Sequence, residues 1–270
     1  MSRVSKLVRT KLGFRWRRHR HMVGIPHYFD PIGRSQFELL KLLGLAPHHY
    51  VLDLGCGSLA AGKHLIPYLA PGHYCGIEPN SWLVADGIVY ELGKRWINQR
   101  HPRFSDNDQF ELTVFDQSFD FIVAHSIFSH AAQAQITKSL SQARQALKPE
   151  GIFVASYFKG QHNYEGEAWV YPGAVAYTPA KMAEMAGESG LTMKELVWPD
   201  LNQTWVAFFN PRAEPTITKR LVVADRAAND KVIYPDPRGP AWFRDVVRRL
   251  PPALSSLFPR DSKMPGAPGD

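Results

Sequence analysis

The apolar positions of this chain fall into two periods. Short unbroken runs, Tyr50–Leu54, His73–Ile77, Phe119–Ala124 and Ile152–Phe158, have the length and composition of strands buried on both faces of a parallel sheet. Between them, over Leu59–Leu69, Trp82–Ile97 and Gln133–Leu147, apolar residues recur at helical spacing. Asp30-Pro31 opens an earlier helix that carries Leu39, Leu40 and Leu43 and ends at Gly44. Thr178-Pro179 opens a later one in the N-cap and N1 roles. Thr192–Trp198 and Thr204–Phe209 read as a final antiparallel pair, and His101–Asp108 as a polar loop. Strands alternating with helices predict an α/β fold with a doubly wound, mostly parallel sheet.

One stretch organises the rest. Strand Tyr50–Leu54 runs straight into Asp53-Leu54-Gly55-Cys56-Gly57-Ser58, where the backbone must turn sharply and a ligand can come close. The next strand ends at Glu78-Pro79. In a right-handed β-α-β unit Glu78 then lies beside the glycine turn, where a carboxylate can accept two hydrogen bonds from a ribose diol. A dinucleotide site wants G-x-G-x-x-G, yet here the sixth position holds Ala60. The acid ahead of the first glycine would repel a pyrophosphate and suits an ammonium group instead.

This D-x-G-x-G turn, with an acid about twenty residues on, resembles the class I S-adenosylmethionine-dependent methyltransferases. The resemblance spans roughly Gln36 to Asn210 and implies a seven-stranded sheet. It further implies S-adenosylmethionine held by Asp53, Gly55, Cys56, Gly57, Glu78 and Pro79, with His125 packed under it. The Phe104–Asp108 loop would lie near the adenine, with Asp106 and Asp108 both candidates. One departure is that Leu59 stands where many members have a third glycine.

Composition then divides the chain. Of 270 residues with a net charge of +7, the expected domain takes 31–212, between a basic segment at 1–30 and a proline-rich basic extension at 213–270. Met1 to Tyr28 holds Arg3, Lys6, Arg9, Lys11, Arg15, Arg17, Arg18 and Arg20 and no acid, with apolar residues interleaved. Such a segment suits an anionic membrane surface or another polyanion; the alternative is a frayed basic terminus or a helix packed on the domain with a solvated charged face. No recognition motif accompanies the charge, which argues against nucleic acid. The two cysteines lack zinc spacing, no run approaches a membrane span, and no signal-peptide core follows the basic start; these features point to a cytoplasmic protein.

Methyl transfer to a hydroxyl requires a base. His125 and His130 follow a strand whose carboxyl end faces the crevice, and His162 lies in the long aromatic stretch Lys159–Gly173. His130 ranks first because it comes several residues past the strand, where a side chain reaches an acceptor; His125 and then His162 follow. Tyr164, Trp169 and Tyr171 give that stretch the character of a substrate-facing lid. The chain lacks the N/D-P-P-Y/F motif of base amino-methyltransferases, the catalytic cysteine of cytosine C5 enzymes and the acid cluster of metal-dependent O-methyltransferases, so no metal is expected. A small molecule remains, with a hydroxyl on a sugar or other hydroxylated metabolite as first choice. A small amine, or a scaffold that only holds cofactor, are the alternatives.

A buried charge-assisted hydrogen bond is worth about 1.5–3 kcal/mol, so Glu78→Ala is expected to weaken cofactor affinity roughly ten- to a hundredfold in calorimetry. Unchanged affinity in a folded variant would remove Glu78 from the ribose.

Overall fold

The structure, a computed structural model, describes residues 18–200 and 202–229. Most of the basic start, and residues 230–270 of the proline-rich extension, lie outside the described residues.

The elements in chain order are α1 (Phe29–Leu42), β1 (Val51–Leu54), α2 (Gly62–Tyr68), β2 (Tyr74–Ile77), α3 (Ser81–Gly87), α4 (Lys94–Arg100) and β3 (Arg103–Ser105). β4 (Phe119–Ala124), α5 (Gln133–Ala146), β5 (Leu147–Lys159), β6 (Ala176–Tyr177) and α6 (Pro179–Glu188) follow, then β7 (Thr192–Leu196), β8 (Thr204–Phe209) and α7 (Glu214–Asn229). The sheet has eight strands in the order β3-β2-β1-β4-β5-β8-β7, with β6 paired to β5 off that path. Strands β1 to β5 run parallel, while β8 is antiparallel to both neighbours. The mostly parallel, doubly wound sheet is as expected, with the short β6 as an added strand.

The pleat sorts the strand residues onto two cores. Val51, Phe121, Val123 and Val154 face one side, where α1, α2 and α7 supply Leu40, Leu65 and Ile217. Leu52, Ile122, Ala124 and Phe153 face the other, against Leu140 of α5 and Met182 of α6. The helix expected over Trp82–Ile97 is three pieces: α3, a π-helical turn at Ile88–Leu92, and α4 after Gly93, whose φ of +88° breaks the run. The loop expected at His101–Asp108 contains β3, polar in sequence because it is an edge strand with little to bury.

The domain also runs past the boundary expected at 212. Ile217, Leu221, Ala224 and Ala228 of α7 form one buried stripe at helical spacing, and Pro215 sits at the second helical position, where no N–H is needed. No helix among the described residues is long and apolar enough to cross a membrane.

Two helical glycines let α1 and α3 close on the turn after β1. A Cβ on Gly33 would land on the carbonyl oxygen of Ala60, and one on Gly87 would lie 2.6 Å from the carbonyl oxygen of Ser58. These contacts are backbone, so little can give. In an open helix Gly→Ala stabilises by up to about 1 kcal/mol. Here Gly87→Ala is expected to lower stability instead, by about 1–3 kcal/mol, read as a lower urea midpoint. A raised midpoint would show that α3 does not bear on the turn.

Candidate active site

β1 and β4 are neighbours whose crossovers leave in opposite directions, so a crevice opens beyond their carboxyl ends. A cavity of about 820 Å³ lies there. The glycine turn forms part of its wall. Gly55 and Gly57 take φ of +72° and +50°, and the Gly55 and Cys56 N–H groups donate to the Ile77 carbonyl at 2.8 and 3.0 Å. Leu59, where a third glycine was noted as missing, also adopts a left-handed φ of 67°, and its fully buried side chain offsets that strain.

Glu78 closes the turn. Its Oε2 accepts from the Gly57 N–H at 3.1 Å, and its Oε1 from the backbone and side-chain nitrogens of Asn80 at 2.9 and 3.0 Å. A carboxylate has about four acceptor positions, so Oε2 retains one for a ligand. Ser58 Oγ, in the same turn and on the cavity wall, is buried without a hydrogen-bond partner. These groups fit an adenosine-bearing ligand with a polar tail.

Asp53 is buried and accepts from the Tyr74 hydroxyl at 2.8 Å. Burial pushes its carboxyl up to about 7, with Glu78 adding to the rise and the Tyr74 hydrogen bond opposing it. A cationic group beside Asp53 would restore its charge. Burial also drives the Cys56 thiol well above its ordinary value, which makes it a packing residue.

Two of the three expected histidines line the cavity. His130 Nδ1 lies 3.0 and 2.7 Å from the Val170 and Gly173 carbonyls. Both can only accept, so Nδ1 carries the hydrogen and Nε2 keeps its lone pair. Burial holds this imidazole below its ordinary value, against those two hydrogen bonds. His125 Nε2 lies 3.1 Å from Asp200 Oδ2, which also accepts from Trp205 Nε1 at 2.8 Å, and the ring stacks on Trp205. His162 is exposed and stands away from the cavity wall, which corrects its expected catalytic place: its segment turns outward after β5. Of the acids near the expected adenine loop, Asp108 lines the cavity and Asp106 does not.

The aromatic stretch divides. Trp169 and Tyr171 line the cavity, whereas the half-buried Tyr164 packs toward the second core and donates to the Ala168 carbonyl. Two groups were missed in the sequence. Asp200, Asn202 and Gln203 reach the wall because β8 is antiparallel, so its start lies at the edge where the parallel strands end. The antiparallel pairing, already legible, was the signal for them. The second group is the end of the basic start. Residues 20–25 wall the cavity, with Val23 directly over Gly57, so that a Cβ there would sit 2.8 Å from it.

This strap is held by Glu91, whose side chain is nearly buried. It receives Arg20 Nε and Nη2 at 2.6 and 2.7 Å, His19 Nε2 at 2.9 Å and Lys63 Nζ at 3.1 Å. Burial alone would raise Glu91; hydrogen bonds from Arg20 and His19, with the Lys63 charge, overcome that and hold it below the ordinary range. The Tyr171 hydroxyl bonds the Met22 carbonyl at 2.5 Å, joining strap to aromatic stretch.

Sheet order, switch-point cavity and a strand-end carboxylate on a glycine turn define a nucleoside-binding α/β domain. Residues 52–153 match the family profile described as "Methyltransferase domain". The chain is 28% identical over 122 residues to sterol 24-C-methyltransferase ERG6B of Gibberella zeae, covering 45% of this chain and 31% of that protein. It is 25% identical over 126 residues to ERG6A of the same fungus, covering 47% and 32%. The chain therefore spans about a third of the length of these curated relatives. Among solved structures, magnesium protoporphyrin IX methyltransferase from Synechocystis PCC 6803 with bound SAH aligns with TM-score 0.51 and 15% identity over 74% of this chain and 94% of that one. The DhpI–SAH complex aligns with TM-score 0.52 and 17% identity over the same shares. The chain thus carries a methyltransferase-domain match over 52–153 and shares its fold with solved methyltransferases.

A carboxyl raised by folding keeps its proton while the unfolded chain loses it. Between about 4 and about 7 the folded state thus binds more protons, and Asp53 costs stability as pH rises through that window. In the cofactor-free protein, Asp53→Asn is expected to remove a loss on the order of a few kcal/mol, seen as urea midpoints that fall less from pH 4 to pH 7 than those of the native chain. Parallel curves would place the titration elsewhere.

Proposed function

We propose that this chain is an enzyme that moves a methyl group from S-adenosylmethionine to a hydroxyl on a small molecule, with both bound in the switch-point cavity. The observation that carries the reading is Glu78, a buried carboxylate locked onto the glycine turn with one acceptor position left for a ribose hydroxyl. When bound, the cofactor supplies a methyl carbon activated by a sulfonium. The chain's own work is then alignment, exclusion of water and removal of one proton. Asp53 would hold the cationic end of the ligand, and the strap covers the glycine turn. Ser58 Oγ finds its missing partner in the ligand.

The acceptor's proton goes to an imidazole. Burial favours the neutral form of His130, which has Nδ1 committed and Nε2 open and stands among Trp169 and Tyr171, with ring centroids at 5.5 and 5.1 Å. His125, backed by Asp200, is the second candidate. The largely apolar cavity with Ser126, Asn202 and Gln203 on its wall suits a ring-bearing acceptor that carries hydroxyls, such as a glycoside or another hydroxylated metabolite. The sterol enzymes among the sequence relatives support a bulky ring. A second reading, transfer to a neutral amine, needs no base, and the open mouth leaves room for it.

Micromolar binding of S-adenosylhomocysteine is expected, together with labelled product in a screen of sugar, phenol and amine acceptors. His130→Ala is expected to lose about a hundred- to ten-thousandfold in turnover with cofactor affinity intact. Because burial lowers this imidazole, the acid limb of the native kcat/KM profile is expected below about pH 6.5. Retained turnover in His130→Ala would pass the proton to His125 or point to an amine.

A further inference from the structure

The rim of the cavity is unusual. Met22 (43% exposed), Val23, Trp82 (37%), Trp169 (40%) and Tyr171 (46%) all line it, five of the ten large apolar side chains left exposed among the described residues. Tyr171 bonds the Met22 carbonyl, Trp169 and Tyr171 both pack against His130, and the Arg18 guanidinium lies over the Trp82 ring at 5.5 Å. Exposed apolar side chains gathered around an opening mark an interaction site rather than scatter.

The charge at this rim has one sign on the strap side. Arg18 and His21 are exposed there, and the chain enters at Arg18 from seventeen residues that contain Arg3, Lys6, Arg9, Lys11, Arg15 and Arg17 and no acid. The acids nearest the strap, Asp30 and Glu91, are already tied to Arg20 and Lys63. Asp108 is the exposed carboxylate on the cavity wall itself. Aromatic rings beside basic residues match the region where headgroups meet acyl chains, and a purely charged polyanion would have no use for the rings.

We propose that the mouth of the cavity docks on an anionic bilayer, so that the acceptor is an amphiphile that enters the cavity from the lipid. The contact stands on the rim and its charge. What passes through it rests on the methyltransferase reading.

The test uses the full chain and flotation with vesicles of phosphatidylcholine alone or with about a third phosphatidylglycerol, brominated acyl chains being included in both. Binding is expected only to the anionic vesicles, weakening with salt, and tryptophan fluorescence is expected to be quenched by the bromine. A Trp82→Phe/Trp169→Phe double variant should lose part of that quenching. Arg18→Glu should weaken partitioning at least about fivefold, since each basic residue near the surface is worth about 1 kcal/mol. Absence of vesicle binding overturns the proposal. So does binding with full quenching in the double variant, or binding without quenching that heparin competes away, which is contact through charge alone. Calorimetry with S-adenosylhomocysteine on the same protein separates the two readings. Cofactor binding without vesicle binding ends this proposal and leaves the methyltransferase, and the reverse leaves the docking surface and ends the methyltransferase.

Discussion

The hydrogen bond from the Gly57 N–H to Glu78 is the constraint on which the site depends. It joins the turn after β1 to the end of β2, two points that the parallel register of those strands has already brought together. Without the carboxylate, the left-handed turn would have to be held by the Ile77 carbonyl and the helices behind it alone. With it, the turn is fixed on the ligand side as well. Gly33 and Gly87 complete the arrangement from behind, since only a missing Cβ lets two helices rest on the turn's backbone. The glycines inside and outside the turn thus serve one end: a stretch of main chain held rigid where a ligand must lie against it.

A second carboxylate does for the strap what Glu78 does for the turn. Glu91 sits in the π-helical turn, nearly buried, and gathers Arg20, His19 and Lys63. A buried carboxylate with one partner would be a liability; with three it becomes a fixed point. The irregular helix is part of the device, since a π-turn changes which residues share a face and brings Glu91 inward.

Much of this was legible in the sequence, because it rests on local rules. The turn, the strand ending at Glu78 and the crevice edge follow from run length, glycine spacing and crossover handedness. What was not legible depends on distant partners. Glu91 reads as a solvated acid until Arg20, far away in sequence, is placed beside it. Asp200 reads as loop until the direction of β8 brings it to His125. β3 reads as loop because an edge strand carries little apolar signal. The helix α7 is the exception, since its stripe Ile217, Leu221, Ala224, Ala228 was present in the sequence and was obscured by Pro215 and the basic residues around it.

The bond between Tyr171 and Met22 spans 149 residues. Loop closure over such a distance is favourable only once the intervening sheet has formed, so this contact belongs among the last made in folding. The strap precedes the aromatic stretch in the chain and is synthesised before it. Glu91 can hold it before the aromatic stretch adds the Tyr171 bond. Closure of the cavity on the strap side therefore depends on residues that meet only across the finished sheet.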